Sequence, residues 1–268
     1  MAIILAGGCR VSDMREGEPL TSGTLRIWNR VGRATGAKAI SLRVMEFAPG
    51  LSPAIRNDDC DEILYLLDAG SESAGADPNE VSTARVSGWV NLLIDGQSFK
   101  VEPDTGIYVR PGETFAIDNP GPASITIISS QCPDPDRPPQ FVSLPNSLAP
   151  TRQPPIVRLA DRPAQPTADR WYRVLVEDEV GSTQVTQFVG SIPPGHAPAH
   201  FHNYEEVLFI LRGEGRMWAG ETNTPIGPGS CIYLPKGQVH CVENIGEGEL
   251  RLLGVFYPAG SPSVRYEA

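Results

Sequence analysis

Basic residues are scarce in this sequence, and no long apolar run interrupts it. Lys and Arg number 22 against 32 Asp and Glu, which gives the 268-residue chain a formal net charge of −10. Binding to nucleic acid and binding to anionic membranes both depend on clustered Lys and Arg. No stretch reaches the ~20 apolar residues of a membrane-spanning helix. The sequence therefore predicts no nucleic-acid partner and no membrane partner, and it leaves a small-molecule substrate open.

Cysteines are few, odd in number and scattered, at positions 9, 60, 132, 231 and 241. A disulfide framework is typical of short secreted chains with an even number of cysteines, whereas reduced thiols are typical of the cytoplasm. The short apolar run before Cys9 lacks the charged leader and the full hydrophobic segment of a signal peptide, and we interpret it as an ordinary strand. We therefore expect a cytoplasmic protein with free cysteines.

Amphipathic helical patterning is also missing, whereas turn-forming residues are plentiful. Gly and Pro number 27 and 26, and 40% of the residues are apolar against 20% charged. Short β-rich runs recur between these turn residues, as in the strand-like segment 24–28. Many short strands joined by tight turns are typical of all-β folds, and the apolar content suffices for a packed core. The sequence predicts an all-β globular protein.

Only four histidines occur, all of them inside the segment 195–244, and the spacing groups three of them with a glutamate. His200 and His202 are two positions apart, so on an extended strand both side chains leave the same face. Glu206 follows closely enough to return to the same space, and His240 has to come from a distant strand. Three imidazole nitrogens and one carboxylate suit a divalent transition metal with open positions for water or substrate.

The spacing of these residues forms a two-part motif. The first part is His-x-His-x3-Glu-x6-Gly at 200–213, and the second is Gly-x5-Pro-x-Gly-x2-His-x3-Asn at 229–244. Together they resemble the paired motifs of the cupin superfamily, with quercetin dioxygenase-like and pirin-like cupins as the nearest pattern. The second part fits at every fixed position, and in the first the leading glycine lies one residue closer to His200 than is common. The resemblance implies a small antiparallel jelly-roll barrel, the double-stranded β-helix, with a metal inside it.

The same pattern occurs earlier in the chain in a degenerate form. Residues 61–67 match 205–211 at an offset of 205 minus 61, which is 144, and residues 107–119 match 232–244 at an offset of 232 minus 107, which is 125. The difference between 144 and 125 places 19 extra residues in the first copy, with the polar segment 70–79 as the predicted insertion loop. The sequence therefore predicts a tandem duplication, that is, a bicupin with two barrels.

A proline-rich segment at 133–166 is expected to form an extended linker between the two copies. We place the boundary within it, so that residues 1–149 form an N-terminal barrel with a degenerate motif and residues 150–268 form a C-terminal metal-binding barrel.

The first copy has lost most of its ligand positions. The replacements are Arg56 for His200, Asp58 for His202 and Phe115 for His240. Only Glu62 is kept, and neither an arginine nor a phenylalanine can ligate a metal. We expect a structural barrel in which Arg56 pairs with Asp58 or Glu62, because buried charges usually need such partners.

The resemblance implies one divalent transition metal per chain (Fe, Mn, Ni, Cu, Co or Zn) bound by His200, His202, Glu206 and His240. It implies a metal-dependent enzyme acting on a small oxygen-rich or aromatic molecule, with a dioxygenase as the leading interpretation and Glu206 as the catalytic proton acceptor. The alternatives are a non-redox isomerase, decarboxylase or hydrolase that uses the same site, and a non-catalytic protein that binds a sugar or acid.

Two further expectations concern the surroundings of the motif. His196 follows a Pro-Gly turn and is expected at the rim of the barrel rather than as a fifth ligand, and Glu205 is expected to point away from Glu206, solvated or paired. Apolar strands near both ends of the chain and an N-terminal barrel without metal favour a homodimer, because paired strand edges would be covered.

Overall fold

The computed structural model describes residues 1–67, 88–145, 156–264 and 266–267, and within these ranges the chain is built from antiparallel strands with four short 3-10 helices and no α-helix. The strands up to residue 145 are β1 (Ile3–Ile4), β2 (Arg10–Asp13), β3 (Leu20–Ser22), β4 (Leu25–Val31), β5 (Leu42–Phe47), β6 (Gly50–Leu51), β7 (Ala54–Arg56), β8 (Asp61–Leu66), β9 (Val90–Ile94), β10 (Gln97–Val101), β11 (Thr105–Val109), β12 (Thr114–Asn119), β13 (Ile125–Cys132) and β14 (Gln140–Val142). The predicted loop at 70–79 lies outside the described residues.

The strands after residue 155 repeat this series. They are β15 (Ile156–Arg158), β16 (Gln165–Thr167), β17 (Arg170–Val176), β18 (Thr186–Ile192), β19 (Gly195–His196), β20 (His200–Phe201), β21 (Glu205–Arg212), β22 (Gly215–Ala219), β23 (Thr222–Ile226), β24 (Ser230–Leu234), β25 (His240–Asn244), β26 (Leu250–Tyr257) and β27 (Tyr266–Glu267). The 3-10 helices are Ala6–Gly8, Arg33–Thr35, Leu159–Asp161 and Asp178–Val180.

Four sheets form two barrels. In the C-terminal barrel, an eight-stranded sheet in the order β1-β2-β24-β21-β26-β18-β17-β16 faces a six-stranded sheet in the order β23-β22-β25-β20-β27, to which β19 is attached through β25. In the N-terminal barrel, a seven-stranded sheet in the order β15-β11-β8-β13-β5-β4-β3 faces a six-stranded sheet in the order β10-β9-β12-β7-β14, to which β6 is attached through β12. The predicted all-β fold with tandem barrels is confirmed.

Side-chain alternation along the central strands separates three apolar cores. On β21, Leu208 and Ile210 point into the C-terminal barrel, whereas Val207 and Phe209 point toward the other barrel. The matching strand β8 divides its residues between barrel interior and interface in the same way. Because successive side chains leave opposite faces of a strand, one strand can serve both cores only if it is apolar on both faces. The unbroken apolar runs of β8 and β21 satisfy this requirement.

The duplication is visible in matched hydrogen bonds at the interface. The Tyr108 hydroxyl donates to Asp61 at 2.7 Å, and the Tyr233 hydroxyl donates to Glu205 at 2.7 Å. Asp61 and Glu205 are related by the offset of 144, and the two tyrosines are related by the offset of 125. The two copies therefore carry the same buried contact, as the sequence offsets predict.

Two segments cross between the predicted units. Strand β2, near the start of the chain, pairs with β24 and so extends a sheet of the C-terminal barrel. Strand β15, which follows the boundary at 149/150, pairs with β11 of the N-terminal barrel. We keep this boundary as a proposal for the two structural units, with an exchanged strand on each side that ties the barrels together.

A buried ion pair fills the interior of the N-terminal barrel. Arg43 donates to the Glu62 carboxylate and to the Ser129 hydroxyl, and Asn57 donates to the other Glu62 oxygen at 2.7 Å. The Arg43 and Glu62 side chains are 3% and 1% exposed. The kept acid therefore has a guanidinium as its positive partner inside the barrel.

We predicted Asp58 or Glu62 as the partner of Arg56. The Asp58 alternative is confirmed, because Arg56 donates to Asp58 at 2.7 Å in an exposed pair, and the Glu62 alternative is wrong. Arg43 instead shares the inward face of β5 with Met45 and Phe47, which places its side chain beside Glu62.

Replacing Arg43 by methionine is expected to destabilise the protein by about 3–5 kcal/mol, because the substitution leaves Glu62 charged and unpaired in a closed interior. Urea unfolding measures this loss. Arg56→Met is the matched control and is expected to change stability by about 0–1 kcal/mol, since its pair is exposed. Equal effects of the two substitutions would contradict a buried role for Arg43.

Candidate metal centre

The three motif histidines come together on the six-stranded sheet of the C-terminal barrel. His200 on β20 lies directly opposite His240 on β25 in the antiparallel register. His202 follows β20 at the point where the chain bends toward β21. Glu206 lies on β21, in the eight-stranded sheet across the barrel interior. The site therefore spans the space between the two sheets, with imidazoles on one side and a carboxylate on the other.

The nitrogen atoms that could act as ligands form a compact cluster. One ring nitrogen from each of His200, His202 and His240 lies within 4.8 Å of the others. Glu206 Oε2 lies 3.5 Å from His202 Nε2. Of the four residues that the sequence predicts as ligands, the structure brings the three histidines into one cluster and places Glu206 beside His202, outside the set of mutually close ligand atoms. The three imidazole nitrogens suit a divalent transition metal.

Backbone contacts set the tautomers of two of the rings. His200 Nδ1 lies 3.0 Å from the Pro198 carbonyl oxygen, and His240 Nδ1 lies 2.8 Å from the Gln238 carbonyl oxygen. A carbonyl oxygen only accepts, so each Nδ1 carries the hydrogen and each Nε2 is the nitrogen whose lone pair can ligate a metal. This is the arrangement that orients histidine ligands in metal proteins, and the residues present therefore fit a metal ion.

Burial controls the charge of the cluster. Desolvation, with the neighbouring His200 as a further cause, lowers the pKa of His202 to about 4 and the pKa of His240 to about 3. Desolvation raises the pKa of Glu206 to about 8. In the metal-free protein at neutral pH, these two imidazoles are neutral, the form that binds metal, and the Glu206 carboxyl holds a proton that a bound cation would displace.

These pKa values predict a pH dependence for the stability of the metal-free protein. The pKa values of His202 and His240 lie below their ordinary value of 6.5. The stability that these neutral imidazoles contribute is therefore present above pH 6.5 and is lost as the pH falls through about 4 and about 3. The pKa of Glu206 lies above its ordinary value of 4.5, so its stabilisation is present below pH 4.5 and is lost as the pH rises through about 8.

Between pH 4.5 and pH 6.5 the two histidines outweigh the single carboxyl, so the contribution of the site is expected to peak near pH 6.5. Denaturant unfolding of the metal-free protein, followed from below pH 4.5 to above pH 8, measures this profile. Glu206→Gln should remove the decline on the alkaline side and keep the decline on the acid side. Identical profiles for the variant and the unchanged protein would contradict the raised pKa of Glu206.

A stack of aromatic rings packs against the histidine cluster at the His202 ring. Tyr204 lies parallel to the His202 ring at 4.7 Å between centroids, and its other face stacks on Phe256 at 4.5 Å. The stack holds the face of the His202 ring. Tyr204 is partly buried against this core. We did not predict this role, although an aromatic residue two positions after a motif histidine was a visible signal.

Glu205, the neighbour of Glu206, points to the opposite face of β21 and is buried. Its carboxylate accepts hydrogen bonds from the Lys38 amide at 3.0 Å, the Ala39 amide at 2.7 Å and the Tyr233 hydroxyl. The expectation that Glu205 points away from the site and is paired agrees with this geometry. Glu205 anchors an N-terminal loop to the strand that carries Glu206.

His196 and Cys241 lie outside the cluster. His196 is exposed and lies beside the Trp218 ring, 5.6 Å between centroids. The Cys241 sulfur lies 3.6 Å from the His196 ring nitrogens, on the outer face of β25. All five cysteines are buried and free. His196 therefore lies at the barrel rim, as the preceding Pro-Gly turn predicts.

A small cavity opens beside the histidines. Its volume is 120 Å³, and its walls include His200, His202, Glu206 and His240. The remaining walls are mostly apolar, with Phe188, Leu208 and Leu252 among them.

Arg170, the first residue of β17, supplies a positive charge to the cavity. Its side chain is 13% exposed and binds the carboxylate of the exposed Asp169. Of the five N–H donors on a guanidinium, this contact leaves some free. We did not predict Arg170, although it shares the inward face of β17 with Tyr172 and Val174 and could have been found from that alternation.

Comparison with known proteins places the chain among proteins with cupin folds. The cupin domain profile matches residues 188–256. Auxin-binding protein 1 of Arabidopsis thaliana is 31% identical over 83 residues, which cover 27% of this chain and 42% of that protein. The oxalate-binding protein of Thermotoga maritima is 35% identical over 66 residues, which cover 24% of this chain and 54% of that protein. The matches thus span about half the length of these relatives.

Solved structures match over nearly the whole chain. A mutant of oxalate decarboxylase from Bacillus subtilis superposes with a TM-score of 0.71 at 14% identity, covering 93% of this chain and 77% of that one. A glyoxylate-induced protein from Pseudomonas aeruginosa superposes with a TM-score of 0.70 at 15% identity, covering 96% and 91%. At these identities the likeness is one of fold. No helix among the described residues is long and apolar enough to span a membrane. Residues 188–256 therefore form a cupin domain, and the chain as a whole has the fold of a bicupin.

Proposed function

We propose that the chain is a metal-dependent cupin enzyme whose C-terminal barrel binds a small carboxylic acid and removes a carboxyl group from it. The observation that carries the proposal is the shared cavity, whose walls include the three histidines, Glu206 and Arg170. The proposal takes up one of the alternatives of the sequence analysis, a non-redox decarboxylase. The dioxygenase remains a prediction without specific support from the relatives.

Cavity size supports a small ligand. Pockets for drug-sized ligands typically measure about 300–1,000 Å³. The cavity beside the histidines measures 120 Å³, which is well below that range. A flavonol with three rings needs a pocket of the larger kind, whereas a two- or three-carbon acid does not. The size of the cavity therefore favours the acid over an aromatic substrate.

Charge supports an anionic ligand. A bound divalent cation would supply Lewis-acid attraction for a carboxylate oxygen. Arg170 would bind a second carboxylate oxygen through its free N–H donors, because guanidinium and carboxylate match in geometry. The apolar walls formed by residues such as Phe188 and Leu252 exclude water and strengthen both attractions.

Glu206 would hold the proton that the reaction needs. When a carboxyl group leaves as carbon dioxide, the bond electrons stay on the adjacent carbon and a proton must replace the lost group. With a cation bound, Glu206 would be a carboxylate, which would accept the proton of the incoming acid and return it to that carbon as carbon dioxide leaves. Burial raises the pKa of Glu206 to about 8, which favours this uptake of the proton.

The names of several relatives support a small acid as the ligand. One solved relative is oxalate decarboxylase, another is glyoxylate-induced, and one curated relative binds oxalate. One structure of the decarboxylase concerns its Mn(II) centres, which makes Mn(II) the first metal to test here. A second candidate function is binding without turnover, favoured by the auxin-binding and oxalate-binding relatives.

Arg170→Met is expected to weaken binding of the acid by about 10- to 100-fold, because a hydrogen bond to a charged group contributes about 1.5–3 kcal/mol. Calorimetry with Mn(II)-loaded protein and oxalate, malonate and glyoxylate measures the affinity, and carbon dioxide release and oxygen consumption are followed on the same samples. Acid-dependent carbon dioxide release without net oxygen consumption supports the proposal.

Arg170→Lys keeps the charge and is the matched control, which should recover part of the affinity. Oxygen consumption with each turnover would favour the dioxygenase. Binding of an acid with no product would favour the binding protein. Equal affinity of the Arg170→Met variant and the unchanged protein would contradict the role of Arg170.

A further inference from the structure

We propose that the C-terminal strap, defined as the described residues 261–264 and 266–267, is the wall of the cavity that limits the length of the acid it accepts. This inference rests on the proposed function for the identity of the ligand. It concerns a segment beyond the cupin domain match, which ends at residue 256. The metal motif therefore does not assign a role to it.

One end of the strap closes the cavity near β17. Pro262 and Ser263 line the cavity together with the histidines. The Ser261 hydroxyl lies 3.5 Å from the Tyr172 hydroxyl and 2.8 Å from the Ser263 hydroxyl. Tyr172 follows Arg170 by two positions, so this part of the strap lies over the end of the cavity that carries the positive charge.

The other end of the strap pairs with the strand that carries the metal ligands. Residues 266 and 267 of β27 pair antiparallel with Phe201 and His200 of β20. The Tyr266 ring stacks on the Phe201 ring, 5.4 Å between centroids and 23° between planes. The described parts of the strap therefore lie at the Arg170 end of the cavity and at the edge of the histidine sheet.

The strap is held by few buried groups. The side chains of Val264 and Tyr266 are 46% and 43% exposed. Segments with few buried apolar contacts open at low free energy, so the attachment of β27 to β20 is the weak point. A ligand of minimal length fits beneath the closed strap, whereas a longer diacid must displace it. The strap thereby excludes longer acids without contacting the reacting atoms.

Ser263→Phe tests the position of the strap over the cavity. A phenyl ring in place of a hydroxymethyl group would take up much of the 120 Å³ available. Binding of oxalate to the Mn(II)-loaded variant is expected to fall about tenfold or more, as overpacking costs suggest, with metal content unchanged. Ala259→Phe places the same ring on an exposed position before the strap and should leave binding unchanged. Equal effects of the two substitutions would overturn the proposal.

Tyr266→Ala tests the attachment of the strap. Without the stack on Phe201, the affinity for a longer diacid such as adipate is expected to rise relative to that for oxalate. In the metal-free full-length protein, modification of His200 by diethylpyrocarbonate should become severalfold faster. If Tyr266→Ala alters neither the size preference nor the modification rate, the strap does not close the cavity. If the unchanged protein binds no acid while Tyr266→Ala still speeds the modification, the proposed function fails and the strap stands as a cover of the site.

Discussion

Replacing His240 by alanine is expected to abolish stoichiometric metal binding. His240 is 4% exposed and contributes one of three nitrogens that lie within 4.8 Å of one another. Its Nδ1 contact with the Gln238 carbonyl oxygen aims Nε2 at the cluster. Even residues that only support ligands change metal affinity by about 10- to 100-fold, so loss of a ligand should exceed that range. Metal analysis after dialysis should give about one equivalent for the unchanged protein and close to none for the variant.

His196→Ala is the matched control for this experiment. His196 lies close in sequence to the motif, but it is exposed and contacts Trp218 and Cys241 outside the cluster. The variant should keep a full equivalent of metal. Metal that persists in His240→Ala, or a stoichiometry near two in the unchanged protein, would contradict a single site in the C-terminal barrel. A second equivalent would have to displace Arg43 from Glu62 in the other barrel.

The metal cluster is the part of the molecule that the sequence predicts most completely. The two-residue spacing of His200 and His202 and the distant His240 are brought together because β20 and β25 pair in register. Motif spacing carries this information, since the motif encodes the turns and strand lengths that set the register. The offset between the two copies likewise predicts that Tyr108 and Tyr233 make equivalent contacts, and they do.

Residues outside the motifs could not be placed in this way. Arg43 reaches Glu62, and Arg170 reaches the cavity, from strands whose pairing is set by long-range contacts. Alternation along each strand identifies the face of such a residue, but not its partner across the barrel. Of the two predicted partners of Arg56, Asp58 is confirmed and Glu62 is wrong, because a residue close in sequence is not always the partner inside the barrel. The strap has no motif at all, and only its tertiary contacts reveal it.

The reaction was the least predictable feature for a related reason. Cupin barrels with the same ligands carry many reactions, so the motif defines the metal site and leaves the substrate open. The size of the cavity and the charge of Arg170 are properties of the surrounding side chains, which come from β17, β18 and β26 rather than from the motif strands. These walls are the reason why we propose a small acid rather than an aromatic molecule as the substrate.

The last prediction separates catalysis from binding at Glu206. Glu206→Gln removes the carboxylate that would take up and return the proton, and it keeps an oxygen that can ligate metal. The variant is expected to retain about one metal and to bind the acid, but to lose turnover by about 10² to 10⁴, the usual contribution of a positioned acid or base. Metal content, affinity and turnover must be measured on one preparation.

Glu205→Gln is the control for this experiment, because Glu205 lies on the other face of β21 and holds the Lys38 and Ala39 amides. This variant should lose stability while keeping turnover per folded, metal-loaded protein. A proton role further requires that the pH dependence of turnover in the unchanged protein disappear in Glu206→Gln, which a purely structural ligand would not cause. Unchanged turnover of Glu206→Gln at full metal occupancy would show that Glu206 only holds the metal, since an amide has no carboxyl proton to transfer.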